Sequence, residues 1–347
     1  MKQGSKIHKD LEDEVHTTVK IEVLTKEDGF GLRLWNLIQG LRTLRETGLT
    51  RELEVWGVVE GNVVNGVIDK VSHENPNEEF ENELSSQESQ ADHRQARVTD
   101  YFPSSQKRTT GSQQPKAYLS DVKTRGSRAP ISKALLRPAI TQLLLYHQFL
   151  SAMAADRLEW TMLFRRYGLD ADDTFSDAFM AQIGGLHDDI FVDAPTSSDP
   201  EPRSSGQTES SLVSVGYEDE SQDLPDILNY RTLRELVYLV RQEMSLTFPD
   251  GEDSIGPMLR VQYVSRQDGS HIDVHDFPAS KQALSSYLDK YMPWWQGDRE
   301  AEGVTIEEAF KCRTCEFAAD CTWRQRMHDE RVRSAEERVR ARRGKST

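Results

Sequence analysis

The chain has 347 residues, of which 36% are hydrophobic and 29% are charged, and its formal net charge is -15. This length predicts one large domain or two small ones, and the low apolar content predicts that part of the chain lies outside a packed core. No run approaches the roughly 20 apolar residues that cross a bilayer, which argues against a membrane protein. The three cysteines lie within ten residues, which excludes a disulfide framework and indicates a reducing compartment.

The negative charge is unevenly distributed along the chain. Residues 195–226 hold eight acidic residues and one basic residue, whereas residues 322–347 hold nine basic and four acidic residues. Residues 195–226 therefore contribute -7, nearly half of the net charge, and the total does not exclude a nucleic-acid partner. The N-terminus lacks the apolar segment of a signal peptide and is too acidic for a transit peptide, so no targeting peptide is visible.

Periodicity predicts two helices and a hairpin at the start of the chain. The elements are helices 6–24 and 30–46 and strands 53–59 and 62–71. Gly48 suits a left-handed cap after the second helix, and Glu60-Gly61 suits the hairpin turn. Asp69 lies inside the second strand, where a lone buried carboxylate is costly unless a cation meets it.

Two polar segments are predicted to be disordered inserts, residues 73–116 and 194–226. Between them, Ala117 to Arg125 reads AYLSDVKTR and predicts a buried strand. Because strand residues alternate between faces, Asp121 and Lys123 should point the same way. They form either an ordinary ion pair or, with Asp69, part of an oxygen-rich site for a divalent metal ion.

A helix is predicted over residues 137–157, with Pro138 in its first turn. Gln142 and Tyr146 are four residues apart and share one face, where Tyr146 is either a half-buried core residue or part of a site. The later predicted elements are an irregular helical segment 160–192, helix 230–245, strands 259–265 and 271–276, and a helix over 279–291 that ends at Pro293.

The C-terminal cysteines are too closely spaced for unrelated core residues, so Cys312, Cys315 and Cys321 predict a soft metal centre. A fourth ligand is missing; His328 would complete a zinc site, but its spacing does not match common zinc fingers. The adjacent Trp294-Trp295 pair either stacks on bases or, as we favour, packs against the edge of this cysteine module.

Several motifs together resemble one nuclease family. They are Gly66-Val67-Ile68-Asp69, Asp121-Val122-Lys123-Thr124, Gln142 with Tyr146, Gly4 with His8, PWWQGDREAEGV, and FKCRTCEFAADCTWR with its three cysteines. In this order they resemble the RecB-like branch of the PD-(D/E)XK nucleases, and in particular the eukaryotic, fungal-like exonuclease V family with an iron-sulfur cluster. The resemblance spans most of the chain apart from the two inserts.

The resemblance implies an α/β fold with a restriction-endonuclease-like PD-(D/E)XK core, a mixed central sheet flanked by helices, and a C-terminal iron-sulfur module. The implied domains are a nuclease core (1–296), the cysteine module (297–330) and a basic tail (331–347). A 4Fe-4S cluster in this family takes its first cysteine from upstream of the Gly4–His8 helix. We therefore expect that this chain is N-terminally truncated and lacks that ligand.

The resemblance implies a Mg²⁺-dependent (or Mn²⁺-dependent) exonuclease on single-stranded DNA, directed to the 5′ end, in DNA repair or genome maintenance. Metal binding is expected from His8, Asp69 and Asp121, although His8 alone is as consistent with a structural role. The catalytic residues would be Asp69, Asp121 and Lys123, with Gln142, Tyr146, Arg125 and Arg128 contacting the strand. The alternatives are a non-catalytic DNA-binding or scaffold protein and an inactive truncated nuclease.

A short motif lies in the first insert. Its residues Gln95, Val98, Tyr101 and Phe102 resemble the box by which repair proteins bind the sliding clamp. The alternatives are a chance aromatic pair and a segment that docks on this protein's own core. Clamp binding would place a monomeric protein in the nucleus, and the family leaves both nucleus and mitochondrion open.

Overall fold

The computed structural model describes residues 17–92, 115–184, 190–193 and 229–344. Its helices and strands are β1 (Thr17–Lys20), α1 (Lys26–Thr47), β2 (Leu49–Val59), β3 (Asn62–Ser72), α2 (Glu78–Asp92), β4 (Ala117–Arg125), α3 (Lys133–Ala154), α4 (Trp160–Tyr167), α5 (Asp177–Gly184), β5 (Ile190–Asp193), α6 (Leu233–Thr247), β6 (Ile255–Ser265), β7 (His271–Pro278), α7 (Lys281–Gln296) and α8 (Thr322–Gly344). The chain forms two compact units, one of residues 1–130 and 142–279 and one of residues 131–141 and 280–347.

The first unit is built on a five-stranded sheet in the order β2-β3-β4-β6-β7. Strands β4 and β6 run parallel, and every other neighbouring pair in this sheet is antiparallel. Strands β1 and β5 form a separate parallel pair. This architecture confirms the predicted α/β class with a mixed central sheet flanked by helices.

The hairpin of β2 and β3 has the predicted turn. Val59 pairs with Asn62, and the two residues between them, Glu60 and Gly61, have φ angles of 47° and 78°. Two consecutive positive φ angles match the twist of a two-residue hairpin, and glycine adopts such an angle at little cost. The turn therefore fixes the register that places Asp69 on β3.

Helix α1 has strong signals at both ends. The Thr25 hydroxyl accepts a hydrogen bond from the Asp28 N–H at 3.0 Å, and the Asp28 carboxylate accepts from the Thr25 N–H at 3.1 Å. Gly48 ends the helix with φ 77° and donates to the Leu44 carbonyl at 2.9 Å. The predicted glycine cap is thus confirmed, and the capping box starts the helix at Lys26, four residues before the predicted start at residue 30.

A buried ion pair joins α1 to α6. Glu243 is 5% exposed, and its carboxylate accepts from Arg42 Nε at 2.8 Å and from Arg45 Nη2 at 2.6 Å. Two guanidinium groups compensate a carboxylate that would be costly to bury alone. The core around these helices and the sheet includes the fully buried side chains of Trp35, Trp56, Phe149, Phe179 and Phe248.

Helix α3 lies directly on the β2–β3 hairpin because two glycines make room for it. A Cβ atom at Gly57 would lie 2.0 Å from Phe149 Cδ1, and one at Gly66 would lie 2.1 Å from Tyr146 Cε1. Any larger residue would overlap these rings. The close approach brings Tyr146 against the strand that carries Asp69.

Several predicted boundaries differ from the structure by a few residues, and three of the differences have a clear cause or consequence. Residues 17–20, expected in a helix over 6–24, form a strand, as their β-branched Thr-Thr-Val sequence favours. Helix α3 begins at Lys133, so Pro138 lies in its second turn and not its first. Helix α7 continues past Pro293 to Gln296 and ends at Gly297, whose φ of 87° is the left-handed cap conformation.

The first predicted insert is ordered in its N-terminal part, contrary to the expectation for residues 73–116. Helix α2 is anchored by Glu81, whose carboxylate accepts hydrogen bonds from Asn75 at 2.5 Å, from Tyr118 Oη at 2.9 Å and from Lys116 at 3.3 Å. Asn77 also donates to Asp276 at 3.1 Å. These contacts to the sheet explain an ordered helix in a polar sequence.

The segment predicted as irregular helix over 160–192 contains helices α4 and α5 and strand β5. Gly168 ends α4 in the left-handed conformation, with φ 65°, and so separates it from α5. The second predicted insert, residues 194–226, lies outside the described residues.

The second unit contains α7, a 3₁₀ segment over Ile306–Arg313 and α8, together with residues 131–141 at the start of α3. It begins at Ser280, earlier than the sequence-based boundary at Gly297, and the tail expected over 331–347 continues α8 as far as Gly344. Among the described helices, none combines the length and apolar character that crossing a membrane would require.

Candidate functional site

Strand β4 carries the acid and the lysine of the candidate site. Asp121 and Lys123 lie on the same face of the strand, as the alternation predicts, and Lys123 Nζ donates to Asp121 Oδ1 at 2.7 Å. The Asp121 residue is 1% exposed, whereas the Lys123 side chain retains 35% exposure. A buried carboxylate is thus neutralised by an ammonium group that also reaches solvent.

Asp69 brings a second carboxylate to the same strand. The ladder between β3 and β4 runs from the Ser72–Tyr118 pair to the Lys70–Ser120 pair. At the next position, Asp69 Oδ2 accepts a hydrogen bond from the Val122 N–H at 2.7 Å. The Asp69 side chain is therefore held beside the residue after Asp121, so the two acids come from adjacent central strands.

Helix α3 adds Gln142 and Tyr146. The Gln142 carbonyl oxygen accepts from Lys123 Nζ at 3.1 Å, and its amide nitrogen lies 3.2 Å from Asp121 Oδ1 and 3.3 Å from Tyr146 Oη. Gln142 thus connects the acid, the lysine and the tyrosine. These contacts support the site interpretation of Tyr146 over a purely core role.

The Tyr146 phenol lies in an environment that disfavours its ionisation. Burial raises the pKa of Tyr146; the hydrogen bond with Gln142 and the charge of Lys123 oppose this, and the Asp121 and Asp69 carboxylates add to it. The phenol therefore stays protonated at neutral pH and can donate a hydrogen bond.

The two predicted phosphate-binding arginines lie at the end of β4 and are already engaged. Arg125 Nη1 donates to the Ala129 carbonyl at 3.0 Å, and Arg128 Nη2 donates to Asp268 Oδ2 at 3.1 Å and to Ser270 Oγ at 2.6 Å. The Arg128 side chain is 62% exposed. These acceptors lie in the loop after β4 and in the turn between β6 and β7, so the structure places both arginines at or just after the end of β4.

Tyr263 is a neighbour that sequence reasoning missed. It lies on β6 in register with Lys123 and is 5% exposed. Burial raises the pKa of the Tyr263 phenol, and the Asp121 carboxylate adds to this effect. Tyr263 lies next to Lys123 only because β4 and β6 pair in parallel, and no local pattern in the sequence predicts that pairing.

The remaining predicted site residues are either not described or not arranged as a metal site. His8 and the four residues of the clamp-like motif lie outside the described residues. Cys312 and Cys321 are half-buried, Cys315 is exposed, and all three are free thiols. In the described ranges, no group of three or more His, Cys, Asp or Glu side chains is arranged to hold a metal ion.

The tryptophan pair is exposed. Trp294 is 46% exposed and Trp295 is 69% exposed, and their ring centroids are 6.4 Å apart. Packing against the cysteine module and stacking on bases both stay predictions. Trp323 is a tryptophan that does pack in this unit, because a Cβ atom at Gly303 would lie 1.8 Å from its Cγ atom.

The fold and site define an α/β protein with two carboxylates and a lysine on adjacent central strands of a mixed sheet. A model of the Exonuclease V family, described as a 5′ deoxyribonuclease, matches residues 1–324. The chain therefore belongs to the Exonuclease V family. It is also similar to Exonuclease V of Danio rerio, with 23% identity over 322 residues, which cover 93% of this chain and 61% of that relative's length.

Proposed function

We propose that this protein is a metal-dependent exonuclease that hydrolyses single-stranded DNA from its 5′ end in DNA repair or genome maintenance. The observation that carries the proposal is the hydrogen-bonded group of Asp121, Lys123 and Gln142 beside Asp69. Membership of a family described as 5′ deoxyribonucleases supports the reaction class. The single-strand preference and the PD-(D/E)XK fold rest on the motif resemblance.

The donor set at the site fits a hard divalent cation. Asp69 and Asp121 provide carboxylate oxygens from neighbouring strands, and Mg²⁺ is commonly bound through one or two carboxylates together with water and substrate phosphate. We infer that these two residues would hold Mg²⁺ or Mn²⁺, with His8 as the further ligand expected from the motif. Such an ion supplies Lewis-acid chemistry for phosphodiester hydrolysis.

Lys123 would act on the reacting phosphate or on the attacking water. Its ammonium group is held by Asp121 and by Gln142 yet keeps access to solvent. A compact cation in this position can orient water and stabilise negative charge that develops on phosphate. Because the Asp121 carboxylate holds the Lys123 ammonium group in place, replacing either residue should remove the contribution of both to the rate of cleavage.

Gln142 and Tyr146 would position the strand. The Tyr146 phenol, kept neutral by burial, can donate to a phosphate oxygen, and Gln142 orients it from 3.3 Å. Arg128, with a 62% exposed side chain, can exchange its surface ion pair for a phosphate at little cost. Arg125 would contribute similarly at the end of β4.

The cysteines fit an iron-sulfur cluster only in part. A 4Fe-4S centre takes four thiolates, and the sequence contains three cysteines. Within the described residues, the three thiols do not form a metal-binding group. We therefore derive no catalytic step from a cluster and propose it as a structural centre whose presence metal analysis can test.

The test is cleavage of single-stranded DNA labelled at either end, with and without Mg²⁺. Asp121→Asn and Lys123→Met should each lower the rate at least about 100-fold. Asp121→Asn should keep binding, because removing a carboxylate also removes repulsion of phosphate. Asp172→Asn, which alters an exposed acid paired with Arg234, is the matched control and should leave the rate unchanged.

Undiminished cleavage by both site variants would refute the assignment of the site. Tight binding of DNA by the native chain with no cleavage in either metal would instead favour the non-catalytic DNA-binding alternative. Release of label from the 3′ end before the 5′ end would contradict the proposed polarity.

A further inference from the structure

The second unit contains a cavity of about 360 Å³ that the nuclease site does not use. Its walls are formed by α7, by Arg137 and Pro138 near the start of α3, and by the segment between α7 and the 3₁₀ turn. All of its lining residues belong to this unit. The volume lies in the range of small-ligand sites and would accept a single nucleotide rather than a folded element.

One wall of the cavity is an aromatic stripe. Tyr287, Tyr291 and Trp294 have the i, i+4, i+7 spacing and therefore share a face of α7. The Tyr287 and Tyr291 ring centroids are 4.4 Å apart, with an interplanar angle of 37°. Trp294 remains 46% exposed. A helix that only packed against its own unit would bury this face, so the exposed ring indicates a surface that is open to a planar ligand.

The same cavity is lined by a surplus of positive charge. Four basic residues, Arg137, Lys290, Arg299 and Lys311, face two acidic ones, Glu302 and Glu308, which leaves a formal charge of +2. Arg137 and Lys311 neutralise the buried Glu308, at 3.6 Å and 3.0 Å.

Lys290 differs from the other bases. Its ammonium nitrogen lies 5.6 Å from the centre of the Tyr291 ring. The other three bases of the cavity are each held by a glutamate of the same unit, Glu302 or Glu308. The Lys290 cation lies over the Tyr291 ring in a cavity that the exposed Trp294 ring also lines, so it is suited to meet an anionic ligand.

The cavity wall is fixed and does not depend on a loose loop. Arg299 Nη2 donates to the Lys290 carbonyl at 3.1 Å, and the Arg299 N–H donates to the Pro293 carbonyl at 3.1 Å, which ties the segment after α7 back onto the helix end. Gly303 then lies against the Trp323 ring. Both contacts hold the rim in place before any ligand binds.

We propose that this cavity binds one nucleotide unit of single-stranded DNA, with the base stacked on Tyr291 and Trp294 and the phosphate beside Lys290. Aromatic platforms next to cations hold single strands without reading their sequence. An apolar ligand would not pair with the basic residues of the cavity, and a simple inorganic anion would not contact its aromatic rings. A nucleotide contacts both. The inference rests on the proposed function for its choice of nucleic acid, but it concerns binding outside the hydrolytic group.

Binding is measured on the full chain in EDTA, which prevents metal-dependent hydrolysis, with a fluorescent oligothymidylate. Tyr291→Leu should weaken binding at least about fivefold, and Tyr291→Phe, which keeps the ring, should bind like the native chain. Lys290→Gln should lower the slope of log K against log salt by about 0.7. Tyr238→Leu, an exposed tyrosine of α6, and Lys281→Gln, at the start of α7, are the matched controls.

A strand containing 4-thiothymidine provides a readout that needs no substitution, since irradiation should attach it to the peptide that contains Tyr291 and Trp294. Attachment only to other peptides, or native binding by both Tyr291→Leu and Lys290→Gln, would overturn the proposal. These outcomes are independent of cleavage. If the chain cleaves DNA but does not bind it in the cavity, only this inference is refuted. If the chain binds DNA in the cavity but does not cleave it, only the proposed activity is refuted.

Discussion

Replacing Gly66 with alanine tests how the site is assembled. The new Cβ atom would lie 2.1 Å from Tyr146 Cε1, whereas ordinary contacts begin at 3.4 Å, so the ring or the strand must move by about 1.3 Å. Overpacking of this kind typically costs about 1–3 kcal/mol of the free energy of unfolding. The Tyr146–Gln142 hydrogen bond is already 3.3 Å long and would break with such a shift.

Gly66→Ala should lower the rate of DNA cleavage by more than its loss of stability explains. Gln142 also contacts Asp121 and Lys123, so its displacement disturbs both groups. A misplacement of about 1 Å in a catalytic group can lower a rate about 100-fold, and we expect at least a tenfold loss of DNA cleavage at temperatures where the variant is folded.

The assay combines urea unfolding with cleavage of labelled single-stranded DNA. Gly126→Ala is the matched control, because a Cβ atom there meets nothing within 4 Å. Removing the ring should remove the clash, so Gly66→Ala should cost under about 0.5 kcal/mol when it is added to Tyr146→Ala. An unchanged cost in that background would refute the argument from close packing.

Four further predictions concern other parts of the chain. Glu243→Ala should lower the free energy of unfolding by about 3 kcal/mol, because it leaves two arginines without their buried partner, whereas Asp172→Ala at an exposed pair should leave the same urea titration nearly unchanged. Burial, together with the hydrogen bond to Glu81, raises the pKa of Tyr118, so its contribution to stability is complete below pH ~10 and is lost as the pH rises further; Tyr118→Phe should flatten the fall in melting temperature above about pH 10, and an identical alkaline profile would contradict this. The chain purified without oxygen should contain iron, which Cys312→Ser should reduce, and stoichiometric zinc without iron would favour the zinc alternative. A peptide of residues 94–110 should bind the sliding clamp with a modest affinity by calorimetry and thereby support a nuclear role, whereas no heat at tens of micromolar would exclude it.

The sequence predicted the elements whose signals are local. Alternation in β4 placed Asp121 and Lys123 together, and Gly48 marked the end of α1, because both patterns act over a few residues. Gln142 was predicted as a site residue only from the family resemblance. Its helical spacing alone did not distinguish a functional site from a face that packs in the core.

The features that sequence reasoning missed depend on distant parts of the chain. Tyr263 reaches the site only through the pairing of β4 with β6, and a two-residue slip in that register would move it away. Helix α2 is polar and would not fold on propensity alone, but Tyr118 fixes it through Glu81. Pro138 and Pro293 are tolerated inside helices, which the usual cost of proline in a helix did not predict.

The anchored helix α2 also sets a distance. Its fifteen residues rise about 22 Å along the helix axis, and the clamp-like motif begins at Gln95, just after the helix ends at Asp92. A protein bound at that motif would be joined to the five-stranded sheet through helix α2, which Glu81 anchors, and through the two residues that separate Asp92 from Gln95. Its effective concentration near the sheet would then depend on the length of that link, so inserting residues there should lower the effective concentration without changing either site.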